Sequence, residues 1–172
     1  MRKKITITAG IGVALAAGAL LSPIGLAEAG HTNTVLTAEL RGREEVDPTG
    51  AMRRVGDRNG TGEAYVFGVD GDLTTLCYVL TVDDIATATG AHIHEGARGE
   101  NGPIVVNLAA PADGNAGDCL TEGETGKFPT DANGVPLTTV QEILASPEDY
   151  YVNVHNAEFP AGALRGQLMV ER

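Results

Sequence analysis

Hydrophobic and polar residues alternate along several short segments of this chain, and a period of two is typical of β-strands with one buried face. The clearest case is 76–82, where Leu, Tyr, Leu and Val alternate with Cys, Val and Thr. Turn-forming residues bound the segments, as expected for an all-β protein with short connections. The predicted strands are 35–40, 63–69, 76–82, 91–94, 104–108, 150–155 and 163–170. We therefore predict an all-β fold, an antiparallel sandwich or barrel.

Three other segments complete the predicted architecture. The Asp70-Gly71 pair, between two strand-like segments, is the strongest hairpin signal in the chain. Only 138–145 is predicted as a helix, with Thr138 or Thr139 as its N-cap. The stretch 109–135 is rich in Pro, Gly, Asp and Thr and has no periodicity, so it is expected to be a long loop, either a lid or a plain surface loop.

The amino terminus has the pattern of a targeting segment. Basic residues at 2–4 precede an apolar run over 5–21, and Ala27-Glu28-Ala29 offers small residues around a cleavage point. We predict a signal peptide over 1–29 and a single mature domain over 30–172, secreted or held in the cell envelope. The alternative is an uncleaved anchor, since the apolar run approaches the length that spans a bilayer; after cleavage no membrane span is expected.

The charge balance limits the partners. The full chain has 12 basic and 23 acidic residues, a net charge of −11. Removal of the predicted signal peptide takes away three basic residues and one acid, which leaves 9 and 22 and a net charge of −13. Such a surface repels phosphate backbones and anionic lipid. We therefore predict no binding to nucleic acid, and a solubilising role for the acidity.

Two cysteines, Cys77 and Cys119, lie in the predicted mature domain. In an exported protein an even pair most simply forms a disulfide, which here would join a core strand to the long loop. Closing a loop of about 42 residues stabilises the fold by up to about 4 kcal/mol on the chain-entropy model. A metal ligand or a redox thiol is the alternative role, although no C-x-x-C spacing accompanies the pair.

The inventory of reactive residues favours binding over catalysis. Ser146 is the one serine after residue 29 and lies outside any G-x-S-x-G motif, and Lys127 is the one lysine there. No phosphate-binding glycine motif is present. The run 113–118 resembles half of a calcium loop without its distal glutamate. Enzymatic activity is left open, with no catalytic residue assigned.

The histidines are the strongest chemical signal. His92 and His94 are separated by one residue in a predicted strand, so both side chains point to the same face, and His155 lies on the polar face of a second strand. Such a set suits copper or zinc if the two strands are neighbours. The alternative is structural hydrogen bonding between strands and loops. His31, near the predicted mature terminus, could add a ligand, but a histidine at such a place is more often a plain tail residue.

Several motifs resemble one known family. The segments 91–96 (AHIHEG), 102–106 (GPIVV), 150–156 (YYVNVHN) and 159–168 (FPAGALRGQL) are similar to the chordin-type domain, CHRD, as is 37–40 (TAEL) near the start. In animals such domains occur in a secreted antagonist of bone morphogenetic proteins, and bacterial versions are exported single-domain proteins. The resemblance implies an exported binding module with an unidentified protein or envelope partner, with or without a metal.

A second, fainter resemblance bears on mechanism. The His-x-His strand and the later Val-His strand are similar to copper-site elements of Cu,Zn superoxide dismutase, a Greek-key β-barrel with its copper outside the barrel wall. The resemblance implies copper ligands at His92, His94 and His155, and an arginine at Arg165 that steers an anion to the metal or supports the ligands from behind. No bridging histidine or zinc cluster is recognisable in the sequence. A mononuclear copper protein, for copper handling or superoxide chemistry, is therefore the alternative function.

Overall fold

The computed structural model of the protein describes residues 34–49 and 55–171. The predicted signal peptide and His31 lie outside the described residues. Nine strands follow one another along the described chain: β1 Val35–Arg41, β2 Thr61–Val69, β3 Asp72–Asp83, β4 Ala88–Glu95, β5 Ile104–Leu108, β6 Asn115–Thr121, β7 Tyr150–Asn156, β8 Leu164–Gln167 and β9 Met169–Val170.

These strands form a single antiparallel sheet in the order β5-β4-β7-β8-β1-β2-β3-β6, with β9 paired to β1. The sheet curls into a nearly closed barrel, so the all-β prediction is confirmed. The β2–β3 hairpin turns at the predicted Asp-Gly pair, where Gly71 has a φ of 78° that glycine adopts without strain. Strands β4 and β7, which carry the three histidines, are direct neighbours.

The barrel interior is filled by the apolar residues of the alternating pattern. In β1 and β2 every second side chain is buried, and burial of apolar surface is the main stabilising term of the fold. The largest fully buried side chains are Leu36, Leu40, Leu76, Leu80, Ile93, Leu120, Ile143, Leu164, Leu168, Val66, Val105 and Val106.

The predicted helix is present but shorter, as α1 over Val140–Ala145. Of the two threonines considered as cap, Thr139 fills the position: its hydroxyl accepts the N–H of Glu142, and the Glu142 carboxylate accepts the N–H of Thr139 in return. This capping box explains why so short a helix begins where it does. Val140 and Ile143 bury one side of the helix in the core.

Two sequence predictions were wrong in detail. The stretch 109–135, expected to be a loop throughout, contains strand β6, which pairs along its whole length with β3. Its sequence NAGDCLT has few β-branched residues, so pairing with a core strand decides its structure against local propensity. The segment 163–170, expected to be one strand, is divided into β8 and β9 at Leu168, whose N–H donates to the carbonyl of Tyr150.

The disulfide between Cys77 and Cys119 is formed. The two residues are directly opposite each other on β3 and β6. The bond therefore fastens the otherwise weakly predicted strand β6 to the core, and the predicted link between a core strand and the long connection is confirmed. The half calcium loop at 113–118 is largely part of β6 and is not a free loop.

Candidate metal site

The three histidines project from the outer face of β4 and β7. In the register between these strands His92 lies opposite Asn153, His94 opposite Tyr151, and His155 opposite Gly90. Because Gly90 has no side chain, nothing on β4 blocks the imidazole of His155 from leaning towards His92. The sequence predicted that the three side chains lie on polar faces of their strands. Because β4 pairs with β7, these faces form one continuous surface of the sheet.

The three rings lie close together and are each half-buried. His92 Nδ1 is 3.1 Å from His155 Nε2. One nitrogen from each ring lies within 4.8 Å of the others, and no carboxylate or thiolate in the described part of the chain joins this group. At a metal–nitrogen distance of about 2.0 Å, nitrogens on one ion are at most about 4 Å apart. Small side-chain rotations are therefore enough for all three to reach one ion.

Two backbone carbonyls select the tautomers of His94 and His155. The Nδ1–H of His94 donates to the carbonyl of Gly102 (3.0 Å), and the Nδ1–H of His155 donates to the carbonyl of Pro160 (3.1 Å). A carbonyl only accepts, so in each neutral ring the proton is on Nδ1 and the lone pair is on Nε2. Metal-binding histidines usually have this support from a second hydrogen bond. The Nε2 atom of His94 is buried and has no hydrogen-bond partner.

Both carbonyls are held in place by their loops. A side chain at Gly102 would collide with the carbonyl oxygen of Glu95, so only glycine allows the loop after β4 to approach this closely. In the turn after β7, the Asn156 side-chain oxygen accepts the N–H groups of Glu158 (3.0 Å) and Phe159 (2.8 Å). The loops therefore present their acceptors at defined positions before any ligand binds.

The electrostatics keep the imidazoles neutral. Burial lowers the pKa of His92 to about 4, with further lowering by His155 and His94. Burial also lowers the pKa of His94 and of His155. Neutral imidazole is the form that binds metals. At neutral pH the cluster therefore offers lone pairs and not positive charge.

An aromatic and cationic stack supports His94 from behind. The Tyr151 ring is parallel to the His94 ring at 4.8 Å between centroids, and the Arg165 guanidinium lies 3.4 Å from the centre of the Tyr151 ring. Arg165 is only 2% exposed and donates to the carbonyl of Ala97 (3.1 Å) and to Asn101 Oδ1 (3.3 Å). Arg165 therefore lies beside the cluster but under a loop, with Tyr151 between it and His94, and its predicted anion-steering role stays a prediction.

The carboxyl group of Glu45 is buried against Asn153, the residue opposite His92, and was not predicted as a site residue. Asn153 Nδ2 donates to Glu45 Oε1 at 2.7 Å. Burial raises the pKa of Glu45 to about 8, against the opposing effects of Arg165 and Asn153. The available signal for Asn153 was its position two residues before His155 on the same face. Nothing local distinguishes Glu45, because its neighbours come from distant parts of the chain.

The donor set is suitable for a mononuclear copper or zinc ion. Three imidazoles without carboxylates match the preference of both metals, and both cysteines are consumed by the disulfide. The cluster leaves at least one coordination position that the chain's own described ligands do not fill. An antiparallel barrel with an external three-histidine cluster is thus the class of protein that the fold and site define.

Comparison with known proteins supplies the family. A scan against protein-family models matches the CHRD domain over residues 36–168, and the chain belongs to this family. The match spans β1 to the end of β8, with both histidine strands included. No curated protein and no solved structure matches the chain. None of the helices in the described residues has the length and apolar character needed to cross a membrane.

Proposed function

We propose that this protein is an exported CHRD-domain binding module that holds one metal ion, with copper the best fit, through His92, His94 and His155. The observation that carries the proposal is the arrangement of the lone pairs. Two backbone carbonyls leave the Nε2 atoms of His94 and His155 unprotonated. In the metal-free protein His92 Nδ1–H donates to His155 Nε2, and His92 Nδ1 becomes the third ligand atom when its proton moves to Nε2. A purely structural role for these histidines gives no reason for a buried, unpartnered Nε2 on His94.

Copper is favoured over zinc by coordination chemistry. Among first-row divalent ions Cu²⁺ binds a given nitrogen site most tightly. A structural zinc site normally completes four protein ligands, whereas this cluster supplies three. Copper at the site would supply one-electron redox chemistry. The chain's own residues hold the ion, fix its ligand tautomers, and shield one side with Tyr151 and Arg165.

Other parts of the chain support the proposal that the protein is exported. The predicted signal peptide, the acidic surface and the Cys77–Cys119 disulfide all suit an oxidising compartment outside the cytoplasm. We propose an unidentified protein or envelope component as partner, and no nucleic acid. Copper handling or superoxide chemistry is the second candidate function. It is favoured by a small cavity that reaches His94 and leaves room for an external ligand.

The test starts from protein purified through its export route without chelators. Metal analysis is expected to find copper near one equivalent per chain, and titration is expected to restore it after removal. The His92→Ala/His94→Ala variant should bind no copper. The matched control is His31→Ala, which removes the remaining histidine and should bind like the wild type. Absence of copper in the purified protein, together with no binding at micromolar copper, would contradict the proposal.

A further inference from the structure

A cavity of about 170 Å³ adjoins the histidine cluster on the side of His94. Its volume corresponds to about six water molecules, which is enough for a ligand of a few heavy atoms, and it is open to solvent. Apolar groups form part of the wall, and the polar part contains ligand His94 and its neighbours. The lining residues are Val46, Pro48, His94, Asn101, Gly102, Tyr151, Asn153 and Ala161.

Two of the residues around this cavity carry buried acceptor atoms that lack a hydrogen-bond partner. One is Nε2 of His94 and the other is Oδ1 of Asn153. Asn153 is 3% exposed, and its Nδ2 group is engaged by Glu45 Oε1. The amide oxygen of Asn153 therefore has no hydrogen-bond partner. A buried acceptor without a donor is unfavourable, so both atoms favour a ligand that reaches them when the side chains rotate to hold the ion.

We infer that this cavity binds a small hydroxylic ligand, water or hydrogen peroxide, whose oxygen coordinates the metal and whose O–H donates to Asn153 Oδ1. The inference rests on the proposed function, since the metal takes the lone pair of His94. It assigns Asn153 as the residue that selects the ligand. Water and hydrogen peroxide have both the lone pair that the metal requires and the hydrogen that Asn153 Oδ1 requires.

The same geometry disfavours anions that only accept hydrogen bonds. Azide, for example, can bind copper but has no hydrogen for Asn153, and it must displace the ligand that does. Azide is therefore a useful probe: its affinity measures how firmly the resting ligand is held. Loss of one neutral hydrogen bond to that ligand corresponds to roughly a tenfold change in binding.

The experiment titrates azide into the copper(II)-loaded protein and follows the azide-to-copper charge-transfer band. Asn153→Leu removes the acceptor while keeping a side chain of similar size, and azide should then bind about tenfold more tightly, because the displaced ligand has lost its hydrogen bond. Weaker azide binding in this variant would mean that the amide N–H faces the cavity, which overturns the assignment of a hydroxylic ligand.

A second variant fills the cavity without changing a hydrogen bond. Ala161 lines the cavity and its side chain is exposed, so Ala161→Phe should abolish azide binding while copper stoichiometry is retained. The control is Ala157→Phe, at an exposed position of the same turn that does not line the cavity, and it should bind azide like the wild type. Unchanged azide binding in Ala161→Phe overturns the cavity assignment.

A direct measurement covers the case in which Asn153→Leu does not fold. Pulsed electron paramagnetic resonance in D₂O should detect a strongly coupled exchangeable hydrogen on a copper-bound oxygen in the wild type and lose it in Ala161→Phe, whereas the weaker signals of the imidazole Nδ1–H groups remain in both. Copper uptake is read independently in every sample. A wild type that takes up copper but lacks the strongly coupled hydrogen overturns the inference alone, whereas a wild type that takes up no copper contradicts the proposed function itself.

Discussion

The inner and outer faces of strands β4 and β7 are held by different kinds of interaction. On the inner face Ala91, Ile93, Val152 and Val154 have no solvent exposure and belong to the apolar core. On the outer face the histidines are half-buried, and His94 and His155 each bond to a carbonyl from a loop. The inner face depends on non-directional burial, whereas the outer face depends on atoms at defined positions.

This difference separates stability from function. Changes on the inner face leave a cavity and lower the free energy of unfolding, whichever side chain is affected. Changes on the outer face alter which lone pairs and hydrogens are available to a ligand. The following variants test that separation, in order of decreasing effect on stability.

The largest effect is expected for Ile93→Ala on the inner face. Ile93 has no solvent exposure, and truncation of such a side chain lowers the free energy of unfolding by about 2–5 kcal/mol. Urea denaturation of the metal-free protein measures the loss. Copper stoichiometry of the folded fraction should be unchanged, with Val79→Ala, whose side chain is exposed on β3, as the surface control. Loss of copper from folded Ile93→Ala would show that the two faces are not separable.

The second effect is a pH dependence that originates at Glu45. Between its ordinary pKa of 4.5 and its folded pKa of about 8, the folded protein keeps a proton on Glu45 that the unfolded chain has released. Its contribution to stability is therefore complete below pH 4.5 and is lost as the pH rises through 8. Each pKa unit corresponds to about 1.4 kcal/mol, so the loss amounts to a few kcal/mol.

Urea denaturation of the wild type and of Glu45→Gln between pH 5 and pH 9 isolates this contribution. The wild type should lose stability relative to the variant across this range, because glutamine keeps a neutral group at the same place and does not titrate. Titrations elsewhere in the chain are common to both proteins and cancel. Parallel pH profiles would mean that Glu45 is ionised in the folded state.

The third effect is smaller and concerns Tyr151. Its hydroxyl accepts the N–H of Gly102 at 3.3 Å, which links the carbonyl-bearing loop to β7. Tyr151→Phe keeps the ring stack and removes this one hydrogen bond, so we expect a loss of about 1 kcal/mol. Copper affinity should fall as well, because the loop that orients His94 is less well held. A stability loss without any change in copper affinity would place the hydroxyl outside the site.

His94→Ala is expected to have the smallest effect on stability. Its effect on copper binding is expected to be the largest of the series. The variant loses a hydrogen bond and a ring contact but also removes a buried acceptor without a partner, so the net loss is about 1 kcal/mol or less. Copper binding should disappear. If the variant is instead strongly destabilised and wild-type copper binding is absent, the histidine has a structural role and the outer face follows the same rule as the inner one.

Alternation was sufficient to predict most strands of the barrel and the face on which each histidine lies. Prediction failed where pairing outweighs local preference. Strand β6 has little intrinsic β-propensity and is held by β3 and the Cys77–Cys119 bond. The division at Leu168 has a similar cause, since its N–H turns away to reach the carbonyl of Tyr150.

The candidate site was predictable only in part. His92, His94 and His155 stood out as an unusual residue type with a common parity, and Arg165 was found through family resemblance. Glu45 was not, because its burial arises from Asn153, Gly56 and Gly162, which are far away in the chain. The carbonyls of Gly102 and Pro160 belong to no side chain, so residue identity offered no signal for them.

The sequence by itself determined the all-β class, the disulfide partners and the three candidate histidine ligands, because these follow from residue type and a period of two. Only the tertiary structure decided that β4 and β7 are neighbours, which nitrogen of His94 and of His155 is unprotonated, and that a cavity with a spare amide oxygen lies beside them. Strand pairing and loop placement are set by contacts between residues distant in the chain. Local pattern contains no information on such contacts.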